Sequence, residues 1–180
     1  MAMKANLPSN AEYREERKKD LKFHTPGGLF NYRAGAIIIH NGKYLLMRNS
    51  QDPYYYSVGG RVRFDETTEE AAVREVLEET GVLLEIDRIL FFQEQFFESE
   101  VTGDHVHELG VYYLMKDSDA LAHVECHSVT GLGAVEELIW VTPEELKEIR
   151  FVPESVGRRL LNLPEQMEHI IEIIEPPAAY

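Results

Sequence analysis

Cysteine, tryptophan and positive charge are all scarce in this 180-residue chain. Its one cysteine, Cys126, rules out an intramolecular disulfide and fits a reducing compartment. Eighteen Lys and Arg stand against 32 Asp and Glu, a net charge of −14. That balance argues against general affinity for nucleic acid or an anionic membrane. A polyanionic ligand must therefore be met by local cations or a metal ion. No apolar run approaches the ~20 residues of a membrane span, and residues 1–25 are polar and charged, without a signal-peptide pattern. A cytoplasmic location is the expectation. Internal repeats and low-complexity segments are also absent. What the chain does have is core material: 44% hydrophobic residues, with eight Phe and nine Tyr. One packed domain is expected, not disorder.

The densest chemical signal lies between Gly60 and Val82, where Glu75, Glu78 and Glu79 fall at spacings of three and four. On a helix they share one narrow face. Like charges so placed disfavour a bare helix by roughly 0.2–0.5 kcal/mol per pair. A bound cation would neutralise them, and oxygen-only ligands suit Mg²⁺ or Mn²⁺. The other reading of the residues is a solvated acidic face. Locally, Tyr54-Tyr55-Tyr56 to Val58 has strand character. Gly59-Gly60 permits a close backbone approach. Thr67 with Glu70 fits a capping box, and Gly81 suits a helix stop, predicting a helix over about 68–80. Ala72, Val73, Val76, Leu77 and Thr80 would form its core face. Ala71 would sit on the acidic face and leave room for a phosphate, and Arg74 could pair with Glu66.

This stretch resembles the Nudix box, G-x5-E-x7-R-E-U-x-E-E-x-G-U with U aliphatic, at every specified position over 23 residues. A chance match at a given site is on the order of one in a billion. The resemblance implies an α/β (α+β) Nudix fold, a mixed sheet sandwiched between helices. It implies that Glu75, Glu78 and Glu79, with the carbonyl of Gly60 or Gly59, bind a divalent metal, while Glu66 and Arg74 support the box. Two neighbouring positions depart from common family usage: Val58 stands where proline often precedes the glycines, and Asp65 where glycine often precedes Glu66.

Elsewhere the chain divides into an N-terminal extension, residues 1–27, and a domain over 28–180. Residues 11–21 are charge-dense, either a short helix or an arm, and Pro26-Gly27-Gly28 reads as a boundary. Strands are expected over 32–40 and 43–48 around an Asn41-Gly42 hairpin turn. Further strands are expected over 82–97, 107–116 and 138–141, with a short one at 123–126. Residues 49–53, 98–104 and 129–134 read as loops. Helices are expected over 142–149, with Pro143 at the first position, and over 153–162. Residues 167–174 fit either a strand or an amphipathic helix.

Related sequences often recruit an acidic residue from outside the box. Glu136 is the favoured candidate, beside Glu137, with Glu98, Glu100 and Asp104 as rivals in a loop. Arg33, Arg48, Arg61 and Arg63 flank the proposed site, and guanidinium groups suit phosphate oxygens. Alternation sends Arg61 and Arg63 to one face, either cleft or solvent. The three tyrosines fit a half-buried strand better than a stacking platform. His105 and His107 in a polar loop make a poor metal site, although the resemblance implies that the His-Glu pair ending in Glu108 could help bind substrate; the set His123, Cys126 and His127 lacks a second ligand pair.

The resemblance implies hydrolysis of the pyrophosphate linkage of a nucleoside diphosphate joined to another group, X, of the ADP-ribose or nucleotide-sugar type. Mg²⁺, or Mn²⁺, would be the cofactor, and Glu78 or Glu136 would serve as base beside Glu79. The alternatives are a nucleoside-triphosphate pyrophosphohydrolase and a non-catalytic nucleotide-binding module. A homodimer is compatible with the family's habits.

Overall fold

The structure is a computed structural model that describes residues 19–50, 53–99, 102–124, 127–129 and 135–174. Residues 1–18, Glu100, Cys126 and the Pro176-Pro177 end lie outside that set. Strand β1 (Lys22–Thr25) is followed by β2 (Gly28–His40), β3 (Lys43–Asn49), β4 (Tyr55–Arg61) and helix α1 (Thr68–Thr80). Next come β5 (Ile86–Glu98), β6 (His105–Met115), a 3₁₀ turn (Asp119–His123), β7 (His127–Val129) and β8 (Val135–Val141). Helices α2 (Pro143–Leu146) and α3 (Glu154–Gly157), a 3₁₀ turn (Leu160–Asn162) and β9 (Glu168–Ile173) complete it. The strands run in the order β7-β8-β3-β4-β2-β6-β5-β9, with β1 added against β2. Two pairings are parallel, β2 with β6 and β5 with β9, so the sheet is mixed as expected.

The two faces of the sheet are covered differently. Alternation along β2 sends Ala34, Ala36 and Ile38 to one face, where α1 closes over them with Ala71, Ala72 and Val76. Ile37 goes to the other face and meets Phe151, Val156 and Leu160 from the C-terminal segment. The hairpin between β2 and β3 forms at Asn41 (φ 49) and Gly42 (φ 74), the left-handed pair that an Asn-Gly turn requires. None of the helices among the described residues is long and apolar enough to cross a membrane.

Several expectations are corrected. The Pro26-Gly27 boundary is the turn of a hairpin, because β1 pairs with β2 from Lys22↔Asn31 to Thr25↔Gly28, and Asp20 bridges Arg63. Residues 20–25 thus join the sheet. The segment 167–174 resolves to strand: β9 finds parallel partners along β5, from Phe91↔Glu168 to Phe96↔Ile173. The helix expected over 153–162 breaks after Gly157 and resumes as a 3₁₀ turn at Leu160. The short strand expected at 123–126 lies later, at His127–Val129, and His123 ends a 3₁₀ turn.

On α1 the core stripe is rotated from the expected one. Ala71 is wholly buried, whereas Leu77 is 44% exposed. The small Ala71 lets the helix approach the sheet closely and leaves no phosphate pocket there. Leu77 falls on the outer side of a helix that covers the sheet with its 71–72–76 edge.

Candidate active site

Local sequence sets the site's frame. Thr67 accepts from the Glu70 backbone while the Glu70 carboxylate accepts from the Thr67 N–H, and Gly81 closes the helix at φ 72. Thr67 thereby fixes where α1 starts, and with it the angular position of Glu75, Glu78 and Glu79. Asp65 takes a left-handed φ of 60, a conformation Asp tolerates better than most residues. The position where relatives often carry glycine therefore keeps the backbone that glycine would adopt.

Arg74 ties the loop to the helix. It donates twice to Glu66 (2.6 and 3.0 Å), to Glu75 (2.5 Å), to Glu78 (3.2 Å) and to the Arg61 carbonyl (3.0 Å). The first of these partners, Glu66, does most to hold the guanidinium protonated far above its usual range. Burial alone would raise the Glu66 carboxyl; bonding to Arg74 and to the Arg63 N–H holds it below its usual value. The expected Glu66–Arg74 pair is thus formed, as a bidentate clamp. Gly60 is required beside it, since a Cβ there would lie 2.3 Å from the Glu75 carboxylate.

Glu79 is placed differently from its two neighbours. It accepts from the Gly59 N–H at 3.2 Å and faces Glu75 and Glu136. Burial first, then those two carboxylates, push its pKa up to about 8. Glu136, on β8, accepts from the Tyr56 hydroxyl at 3.2 Å. Burial and the neighbouring Glu136 raise the Tyr56 phenol in turn. A residue 57 positions beyond Glu79 in sequence thus reaches the same cluster.

The arginines separate into two kinds. Arg48 is spent on Glu137 (2.8 Å) and lies over the Tyr55 ring; Arg61 donates to Asn31 (3.1 Å); Arg63 stands 3.8 Å from Glu78. Arg33, half-buried on β2, makes no hydrogen bond or ion pair among the described residues. Burial would lower its pKa, yet Glu108, Tyr112, Glu79 and Glu75 around it raise it. It is a guanidinium held in an acidic surround with its donors uncommitted. Of the rival acids, Asp104 is bonded to Thr102 and His24 at the β5–β6 turn, and Glu98 is exposed there.

Among the described residues, no three His, Cys, Asp or Glu side chains already form a cage for an ion. Glu75 and Glu78 turn to Arg74 because like charges separate toward the nearest donor. The donor chemistry at Glu79 nevertheless fits a divalent cation: a half-buried carboxylate crowded by two more, relieved by one backbone N–H and the charge of Arg33. Sequence reading weighs Tyr56 as a stacking group and Glu108 as part of a substrate-binding His-Glu pair, and misses their partners, Glu136 and Arg33. A tyrosine in a strand and a glutamate in a strand carry no local mark of a cleft.

The description of the NUDIX domain matches residues 29–160. The chain belongs to the Nudix hydrolase family. Over 119 residues it is 26% identical to a MutT-like protein of Streptomyces ambofaciens, covering 64% of this chain and 65% of that one. Over 124 residues it is 32% identical to a Bacillus subtilis (strain 168) protein provisionally named an 8-oxo-dGTP diphosphatase, covering 64% of this chain and 70% of that one. The alignments thus span about two thirds of each relative. The crystal structure of a mutator MutT protein from Bacillus halodurans superposes with a TM-score of 0.61 at 16% identity, over 79% of this chain and 89% of that one. At that identity the likeness concerns the fold of this Nudix chain.

Proposed function

We propose that this Nudix chain is a divalent-metal-dependent hydrolase that cleaves the pyrophosphate linkage of a nucleoside diphosphate joined to X. The observation that carries the reading is Glu79, held between Glu75 and Glu136 against the Gly59 N–H, with Arg33 uncommitted nearby. Glu75, Glu78 and Glu79, with the Gly60 carbonyl, are the residues to hold Mg²⁺ or Mn²⁺. When bound there, the ion supplies charge neutralisation of the diphosphate oxygens and lowers the pKa of a water in its shell.

The chain's own groups do the rest. Arg33 engages the non-bridging oxygens of the diphosphate. Arg61 stands beside it on the paired strand, register Arg33↔Arg61, and can share that load. Glu136, aimed by the Tyr56 hydroxyl, orients the attacking water and takes its proton. Glu78 is exposed and shared between Arg74 and Arg63, which makes it a poorer base than Glu136. The water oxygen bonds to phosphorus, the anhydride P–O bond breaks, and the leaving phosphate carries away the electron pair.

A second reading, a nucleoside-triphosphate pyrophosphohydrolase, is favoured by the name of the Bacillus subtilis relative, an 8-oxo-dGTP diphosphatase. It uses the same residues and releases pyrophosphate in place of a phosphorylated X. The test is phosphorus NMR of the purified protein with Mg²⁺ and a panel of both compound classes. NMP release is expected, abolished by chelation and lowered about 10²–10⁴-fold in Glu79→Gln, the range for a lost catalytic group. Near-wild-type turnover in that variant would sink the site assignment. Retained nucleotide binding with no turnover by the intact protein would leave a non-catalytic module.

A further inference from the structure

A second polar concavity opens on the face of the sheet that carries Arg33. It has a volume of about 590 Å³, and its lining includes Gln95, Arg150, Ser155, Arg158, Arg159 and Glu172. Three of the chain's 18 cationic side chains gather there, in a protein of net charge −14. Glu172 is committed to Ser155 (2.6 Å) and Gln93 (3.1 Å), and Glu154 is shared by Arg158 (3.0 Å) and Arg150 (3.8 Å).

Two trails join this cavity to the candidate active site. Along the floor, Asn31, Glu108, Gln95 and Glu172 are directly opposed on β2, β6, β5 and β9, so their side chains share one face. Glu108 in that row is the main carboxylate acting on Arg33. Along the wall, Tyr56, which bonds Glu136, stands 6.3 Å from Tyr54, and the Arg150 guanidinium lies 5.8 Å from the Tyr54 ring.

Gln95 provides the independent sign of a ligand. It is only 4% exposed and lines the cavity, yet its amide makes no hydrogen bond among the described residues. Its amide nitrogen and oxygen are not shut off from solvent, so a donor and an acceptor stand open to an occupant of the concavity. Its strand lies two spacings from that of Arg33, about 10 Å at ~4.8 Å per strand. That is past the end of a single sugar ring and within reach of a second nucleoside or a phosphorylated X.

We infer that this cavity is a distal subsite for the end of the substrate remote from the scissile diphosphate, and that it takes an X carrying its own negative charge. Arg150 and Arg158 meet the charge, and the Gln95 amide reads the polar group beside it. The inference rests on the diphosphate reading of the site around Arg33 and Glu79.

A matched pair of probes isolates the charge: reduced nicotinamide adenine dinucleotide and its 2′-phosphate, which differ by one phosphate remote from the diphosphate. Binding is read by nicotinamide fluorescence without metal, and cleavage separately with Mg²⁺. The phosphorylated probe should bind about tenfold tighter or better, as one charge-assisted guanidinium–phosphate contact allows. In the double variant Arg150→Gln/Arg158→Gln that preference should shrink to about twofold or less, with an unchanged melting temperature as the folding control. Gln95→Leu should weaken both probes. Equal binding by the wild-type protein, or a preference that survives the double substitution, overturns the subsite. Preferential binding without Mg²⁺-dependent cleavage supports the subsite and removes these dinucleotides as substrates, leaving the hydrolase reading to the wider panel.

Discussion

Two helix starts in this chain use the same chemistry. Thr67 with Glu70 and Thr142 with Glu145 both form reciprocal capping boxes, and Pro143 adds a preset φ to the second. The first start leads to 13 helical residues and the second to four. The difference lies downstream of the caps. After Thr67 the chain offers no Gly or Pro until Gly81, and Ala71, Ala72 and Val76 place a buried edge along the helix. After Thr142 only Leu146 is buried on the helix itself. The sheet then takes the chain away: the Tyr55 N–H donates to the Arg150 carbonyl and the Val152 N–H donates to the Tyr55 carbonyl, both at 2.8 Å. A cap fixes where a helix begins, and competing tertiary partners decide how far it runs.

The largest way to break this comparison is to remove the capture. Phe151, 4% exposed, sits between the two bonds to Tyr55 and fills the second core with Val156 and Leu160. Phe151→Ala should cost about 3–5 kcal/mol in urea unfolding, the usual range for a buried aromatic truncated to Ala. A loss under about 1 kcal/mol would show that the segment 150–155 is not held by this packing, and the explanation for the short α2 would fall.

A smaller effect is expected inside the box, where function and not stability carries the loss. Gly60→Ala drives a Cβ to within 2.3 Å of the Glu75 carboxylate, which must then swing away from Arg74. Shifts of groups that orient metal ligands typically cost about 10–100-fold in affinity or activity. A fall of that size in Mg²⁺ affinity, measured by titration, with a melting temperature within a few degrees of wild type, is the expected result. Unchanged Mg²⁺ affinity would remove Glu75 from the proposed ligand set.

The same contrast explains how much could be read from the sequence. The box was legible because its signals are local: the Thr67 cap, the Gly81 stop, and the Glu66–Arg74 clamp lie within 15 residues of one another. Glu136 is a candidate through the family resemblance, since related sequences often place an acid at this point, and the structure brings it to Tyr56 and Glu79. The four arginines look alike in sequence, yet among the described residues Arg33 is the one with neither a side-chain hydrogen bond nor an ion pair, because partners such as Glu137 and Asn31 are set by strand register. Register is likewise what turned 167–174 into β9 and placed Gln95 beside Glu108. The rotated stripe on α1, with Ala71 inward and Leu77 outward, depends on how the helix seats on β2 and β4, which periodicity alone leaves open.

The smallest effects sharpen the comparison most directly, because they change the two starts by the same atoms. Thr67→Ala removes the side-chain acceptor for the Glu70 N–H, and Thr142→Ala removes it for the Glu145 N–H. Losing a cap costs typically about 1 kcal/mol. The whole of that should appear for Thr67, since 13 residues depend on the start and the acidic cluster gains nothing from a frayed first turn. For Thr142 a loss of about half as much is expected on the same scale, because the bonds to Tyr55 and the burial of Leu146 still hold the segment once the cap is gone. Equal losses in urea unfolding would mean that the cap, and not the sheet, holds α2 in place. A larger loss at Thr142 would reverse the order of cause argued for the C-terminal segment.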